Sequence, residues 1–312
     1  MISLREYCKD SDFSLWNAFV ASAKNSLFMH DRNFMDYHAD RFLDNSLMFF
    51  DDDELLALLP ANKRDTGLFS HGGLTYGGFI TNTKMKQHKM LECFDVLKSY
   101  MMENGFSSLI YKTIPYCYFT NSAQEDIYAL FKNGARLLKV EASSVIDFQY
   151  PIKIPKGRKA QIGRAKRDGV SVEVSTDFDS FIALENAVLS SRHNTHAVHT
   201  GAELLLLHER FPNQIELYTA HYNEKLIAGV LVFVYENAIH TQYMAADDTA
   251  REIGALDLCL SEIISRYSAT KRFLDFGIST ENDGAVLNEG LINQKESFGA
   301  RTIAYQTWKL EI

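Results

Sequence analysis

Cysteine is scarce, 4 in 312 residues, and Cys8, Cys93, Cys117 and Cys259 never approach a C-x-x-C spacing. That excludes a zinc ribbon and a disulfide framework. Cys259 belongs to the stripe Leu256, Cys259, Leu260, Ile263, Ile264 and Tyr267, whose three-and-four spacing is one helical face packed on a core and argues against a catalytic thiol. Long apolar runs are missing too, since none reaches the roughly eighteen residues of a membrane-spanning helix. The opening MISLREYCKD lacks the apolar stretch of a secretory signal, so a cytoplasmic protein without membrane insertion is expected. Positive charge is not in excess either. A formal charge of −8 excludes a chain that binds nucleic acid over its whole surface, so any anion site must be local.

What is present suits folded domains: 46% of the residues are apolar, and the length is that of two domains. The pattern predicts helices over 14–23, 86–103 and 126–132, strands over 46–50, 55–60 and 109–111, and a strand or hairpin over 136–148. The second half predicts helices over 178–191, 202–210, 254–267 and 287–295. Its strands fall at 215–221, 226–234, 239–244, 273–276 and 302–310. The run from Ile227 to Val234 is apolar on both faces, as a central buried strand would be.

The halves resemble each other. Gly134-Ala135-Arg136 recurs as Gly299-Ala300-Arg301, and Leu109 precedes Gly134 by the same interval as Leu274 precedes Gly299. An internal duplication explains that register. Pro151 and Pro155 with Gly157 mark a linker, so the expected organisation is a domain over 1–150, a basic linker over 151–170 and a second, catalytic domain over 171–312.

Three kinds of segment carry a family resemblance. The run from Asp126 to Ala135, with its counterpart Gln294 to Ala300, resembles the closing helix and turn of GNAT acetyltransferases. Lys156 to Val170, Asp275-Phe276-Gly277 with Ser279-Thr280, and Lys295-x-x-Phe298-Gly299 resemble the FemAB-like branch, which carries two GNAT-like halves. The resemblance implies an α/β (α+β) chain of tandem GNAT-like domains with mixed, mainly antiparallel sheets flanked by helices. It also implies an N-acyltransferase with no tightly bound cofactor. Acyl-CoA or aminoacyl-tRNA would serve as co-substrate, an amino sugar or cell-wall precursor would be the acceptor, and tRNA a possible partner. A GNAT-like binding module without catalysis is the alternative.

Site candidates follow from that frame. GNAT enzymes hold a pyrophosphate at a helix start with Q/R-x-x-G-x-G/A, where backbone N–H groups and the dipole favour anions. Arg251, Gly254 and Ala255 match in part, but Leu256 stands at the last small position and Asp247 and Asp248 precede the motif. The first half offers only Gly77-Gly78-Phe79, without the spacing. A tyrosine often lies four residues before the closing glycine of GNAT enzymes. Here that position is Lys295, or Leu130 in the first half. Lys295 would stabilise developing negative charge, or face solvent near a helix C-terminus. His240 is the candidate base, or a histidine satisfied within a sheet. Strict alternation puts Gln242 on the face of His240 and Tyr243 on the other. Asp275 would orient substrate or cap a turn. His193, Asn194, His196 and His199 form a polar loop for substrate contact, structural or solvated otherwise; a metal is not expected, because side chains at that spacing diverge on a helix. Arg164 and Arg167 belong to a cation run from Lys153 that either grips phosphate or is a solvated face.

Overall fold

The computed structural model describes residues 1–193 and 195–312, without the side chains of Arg192 and His193. The expectations on Asn194 and on the His193 side chain therefore lie outside the described residues. The first half comprises β1 (Ile2–Glu6), α1 (Lys9–Ser22), α2 (Arg32–Met35), β2 (Leu43–Asp44), β3 (Leu47–Asp51), β4 (Glu54–Leu59), β5 (Asn62–Arg64), β6 (Gly67–Phe69) and β7 (Ile80–Thr81). Then come α3 (Gln87–Glu103), β8 (Ser108–Lys112), α4 (Glu125–Lys132) and the long β9 (Arg136–Asp147). The second half opens with α5 (Lys156–Arg167), β10 (Ser171–Ser175), α6 (Phe178–His193), α7 (Gly201–Arg210), β11 (Ile215–Tyr222), β12 (Lys225–Val234) and β13 (Ala238–Ala246). It ends with α8 (Asp248–Ile253), α9 (Ala255–Tyr267), β14 (Phe273–Ile278), β15 (Thr280–Glu281), β16 (Val286–Leu287), α10 (Glu289–Glu296) and β17 (Arg301–Glu311).

The chain divides into two compact units, one holding Met1–Ala142, Asn282–Val286 and Ala304–Ile312, the other Ser143–Glu281 and Leu287–Ile303. Two features depart from a single cut near residue 151. Residues 156–167 are not an extended linker but helix α5 of the second unit. Lys, Arg, Ala and Gln are strong helix formers, yet the segment has so few apolar residues that its pattern carries no helical period. Strands β9 and β17 are also long, 12 and 11 residues, about twice the usual strand, and each contributes residues to both units.

In the first unit β1, β3, β4 and β7 form an antiparallel sheet. The end of β17 pairs antiparallel with β8, which lies parallel to β6. Phe49, Phe79, Phe94, Leu97, Leu109 and Leu130 are buried in one core there. Gly77 and Gly78 have a structural use: a Cβ on Gly77 would collide with the Ser70 carbonyl, and Gly78, at φ +82°, lies where a Cβ would come 2.8 Å from the Tyr111 hydroxyl.

In the second unit β10, β11, β12 and β13 are antiparallel neighbours, β13 runs parallel to β14, and β14 pairs with residues 143–147 of β9. Asn223 and Glu224 close the β11–β12 hairpin with φ of 49° and 63°, the left-handed pair that a tight hairpin turn requires. β12 lies between two partners and is buried from Ile227 to Val234, as its two-sided apolar run implied. Its even-numbered residues Ala228, Val230 and Val232 share a core with Leu258, Cys259 and Ile263 of α9. The opposite face belongs to α6, since a Cβ on Gly229 would come 2.7 Å from the Phe181 ring.

The order strand, helix, glycine, strand occurs twice. Leu109 and Leu274 are each the second residue of their strand, and Gly134 and Gly299 follow α4 and α10 at φ +76° and +92°. That is the left-handed helix ending for which glycine is suited.

Candidate functional site

The second unit brings His240, Asp275 and Lys295 together where β13 and β14 part. Their parallel pairing covers only Ala238–Phe273, Ile239–Leu274 and His240–Asp275, although β13 continues to Ala246 and β14 to Ile278. Beyond His240 and Asp275 the two strands are no longer paired, so backbone groups on their facing edges are free of the ladder. Carboxyl ends of parallel strands that separate are a recurrent ligand position in α/β proteins.

At that fork the Asp275 carboxylate is fully buried and hydrogen-bonded three ways. Its Oδ2 lies 3.1 Å from His240 Nδ1, and its Oδ1 accepts from Ser143 Oγ at 2.6 Å and from the Gly277 N–H at 2.9 Å. A carboxylate on Nδ1 fixes the imidazole orientation and directs Nε2 to any reacting proton. Gly277 is at φ +74°, and a Cβ there would come 3.3 Å from the His240 ring.

Lys295 does not face solvent; the expected solvated alternative is corrected. It is 4% exposed, and its Nζ donates to the carbonyls of Gly277 at 2.9 Å and Ile278 at 2.7 Å. Burial pulls its pKa down to about 8, with Asp275 acting in the opposite direction. A helix-terminal lysine looks solvated in sequence because nothing local shows that β14 delivers two carbonyls to it.

Strict alternation does not hold along β13. Leu231 faces Tyr243 and Phe233 faces His240, with an irregularity between them. Facing residues of an antiparallel pair share a side, and the extra residue of a bulge resets the alternation. His240 and Tyr243 therefore share the α6 side of the sheet, and Gln242 falls at the irregularity. The half-buried Tyr243 hydroxyl lies 2.7 Å from His199 Nδ1, and burial raises its pKa. His196 is exposed, 3.4 Å from Ser190 Oγ. The histidines 196 and 199 thus serve different partners.

Glu185 was missed by the sequence reading. It lies in α6, which packs on β13, is 6% exposed, and its Oε2 is buried without a hydrogen-bond partner among the described residues. It acts electrostatically on Tyr243. A glutamate within an apolar helical stretch was the available signal.

The partial glycine motif forms the start of α9. Gly254 adopts φ +82°, and a Cβ there would come 3.0 Å from the Gln161 carbonyl of α5. A groove of about 250 Å³ is lined by Arg158, Gln161, Arg251, Gly254, Leu256, Asp257 and Gln294, with Ala255 buried beneath. Its cations are already engaged: Arg158 pairs with the buried Asp257 and donates to Ser297 Oγ, and Arg251 pairs with Asp248 at 2.7 Å. Arg164 pairs with Asp168 and donates to the Glu252 carbonyl, both at 3.3 Å, whereas Arg167 is exposed.

Residues 156–283 match the family described as acetyltransferase (GNAT) domain. No curated protein matches the chain by sequence. Similarity to solved structures extends along its length: FemX has 9% identity and a TM-score of 0.69, with 99% of this chain and 97% of that one covered. A tandem GNAT protein from the clavulanic acid biosynthesis pathway has 10% identity and a TM-score of 0.55, over 100% and 98%. L-PGS from Bacillus licheniformis has 13% identity and a TM-score of 0.58, over 82% and 81%. At such identities the likeness is one of fold. The chain has a FemX-like fold of two GNAT-like halves, and residues 156–283 of its second half match a GNAT acetyltransferase domain.

Proposed function

We propose that the second unit transfers an acyl group to an amine at the fork of β13 and β14. The observation that carries the proposal is the buried chain Ser143–Asp275–His240 at that fork, with the Lys295 ammonium on the adjoining carbonyls of Gly277 and Ile278. His240 takes a proton from the attacking amine and Asp275 holds its ring in place. Lys295 supplies positive charge for the acyl oxygen or the departing group as negative charge develops there. Tyr243 and His199 border the acceptor, with Gln242 and His196 contributing to its recognition.

The donor is an acyl-CoA or an aminoacyl-tRNA. The groove at the start of α9, with Arg158 and Arg251 on its walls, supports a phosphate-bearing donor arm, while the buried Asp257 and the nearby Asp248 weigh against a bare pyrophosphate. An amino sugar or a cell-wall precursor is the acceptor class. Thermal unfolding with acetyl-CoA, longer acyl-CoAs and aminoacyl-tRNA tests this: a donor at 100 times its Kd adds about 2.7 kcal/mol. Absence of a shift with every donor would sink the transfer reading and leave a GNAT-like binding module.

A further inference from the structure

Amide formation at the fork releases more protons than His240 alone can take. An alkyl amine in water near pH 7 is an ammonium ion with a pKa of about 10, and it must lose one proton before its lone pair can attack and a second as the amide forms. His240 provides for the second. The first needs another acceptor on the acceptor side of the fork.

We infer that Glu185 is that acceptor, binding the substrate's ammonium group beside Tyr243 and removing its first proton. This rests on the transfer reading and deepens it. Glu185 Oε2 is shielded from water yet has no hydrogen-bond partner among the described residues, in a residue 6% exposed. Leaving a buried polar group unsatisfied costs about 1–3 kcal/mol, so such an atom suits a ligand that supplies donors. Among the described residues Glu185 has no ion-pair partner. β12 contributes Gly229 and Leu231 to this side, neither titratable, and α7 buries Leu204 and Leu207. Of the titratable groups of α7, Glu203 closes a capping box with Thr200, His208 Nδ1 bonds the Ile215 carbonyl, and Glu209 and Arg210 are exposed. β13 contributes Tyr243, which is joined to His199, and His240, which is held by Asp275. Burial alone pushes the Glu185 carboxyl up to about 7, where it exchanges protons under ordinary conditions.

The steps balance. The ammonium gives a proton to the Glu185 carboxylate, leaving a neutral amine and a carboxylic acid. The amine nitrogen forms a bond to the acyl carbon, the carbon–sulfur bond of a thioester or the carbon–oxygen bond of an aminoacyl ester breaks, and the second proton passes through His240 to the departing thiolate or alkoxide. Glu185 then returns its proton to water.

The test is a carbon-13 NMR titration of glutamate-labelled full-length protein, wild type against Glu185→Gln, with and without n-propylamine. One carboxyl resonance, missing in the variant, should titrate near neutrality, and n-propylamine should move its midpoint down by about a unit, because a cationic partner favours the ionised form. Glu185→Asp should retain the response. With acetyl-CoA as donor, Glu185→Gln should lower kcat/KM for n-propylamine about a hundredfold at pH 7 and recover as the pH nears the pKa of the amine itself. A midpoint that ignores the amine, or a Gln variant with the wild-type pH profile, overturns the inference. A midpoint that responds while wild type shows no turnover counts instead against the transfer reading and leaves the amine site standing.

Discussion

Lys295 shows how burial changes what a residue can do. In the unfolded chain its ammonium titrates near 10.5, whereas in the fold burial lowers it to about 8. The folded pKa is depressed, so the stabilising contribution is present above pH 10.5 and is lost as the pH falls toward 8. Below pH 8 the protein carries a buried charge held by two carbonyls. Lys295→Met removes that charge at similar volume. It should leave the melting temperature at pH 7 unchanged or slightly raised, while turnover falls about a hundredfold if the ammonium meets charge developing in the transition state. A variant that unfolds at lower temperature and turns over at the wild-type rate would show Lys295 to be a structural group. The sequence exposed the lysine's position before Phe298-Gly299, but its carbonyl partners lie on β14, eighteen residues away for Gly277, and no local pattern carries such a contact.

At the level of elements, α5 gives the clearest test. Its sequence predicts a cation strip and its structure sorts that strip. Arg158 and Lys166 are paired with Asp257 and Glu262, and Arg164 is half committed to Asp168, while Lys156, Lys159 and Arg167 are exposed. An exposed Arg–Asp pair contributes about 0–1 kcal/mol, so Arg164→Glu with Arg167→Glu should barely change stability. If α5 meets the phosphates of a tRNA donor, the double variant should lose affinity steeply at low salt and flatten the salt dependence of binding. Equal affinity of variant and wild type, measured by fluorescence anisotropy with tRNA, would leave α5 a solvated face. Strand β13 teaches the complementary lesson. Its existence was evident from the sequence pattern, whereas the irregularity that brings Tyr243 onto the side of His240 arises from its pairing with β12. Register belongs to two strands at once, so one strand's sequence does not contain it.

For the whole molecule, the division into units carries its own expectation. Residues 304–312 belong to the first unit, where β17 pairs with β8 from Thr307–Lys112 to Glu311–Ser108. A chain ending at residue 150 would therefore lack a strand of its own sheet and present the unpaired edge of β8, a template for aggregation. It should elute as aggregate in gel filtration and show poor amide dispersion by NMR; a monodisperse, well-dispersed fragment would contradict the division. The duplicated order of strand, helix, glycine and strand was readable from Gly134 and Gly299, because a left-handed helix ending selects glycine wherever it occurs. The burial of β12 was readable as well, since a strand covered on both faces needs apolar residues on both. These are local demands that each segment meets alone, so the sequence determined the tandem GNAT-like architecture and the position of its main elements. Tertiary structure decided the rest: that Lys295 is buried, that Asp275 joins Ser143 to His240, that Glu185 is buried and acts electrostatically on Tyr243, and that the ends of β9 and β17 are shared out between the units. Each depends on groups far apart in the chain, and their energies exist only once the strands and helices have packed.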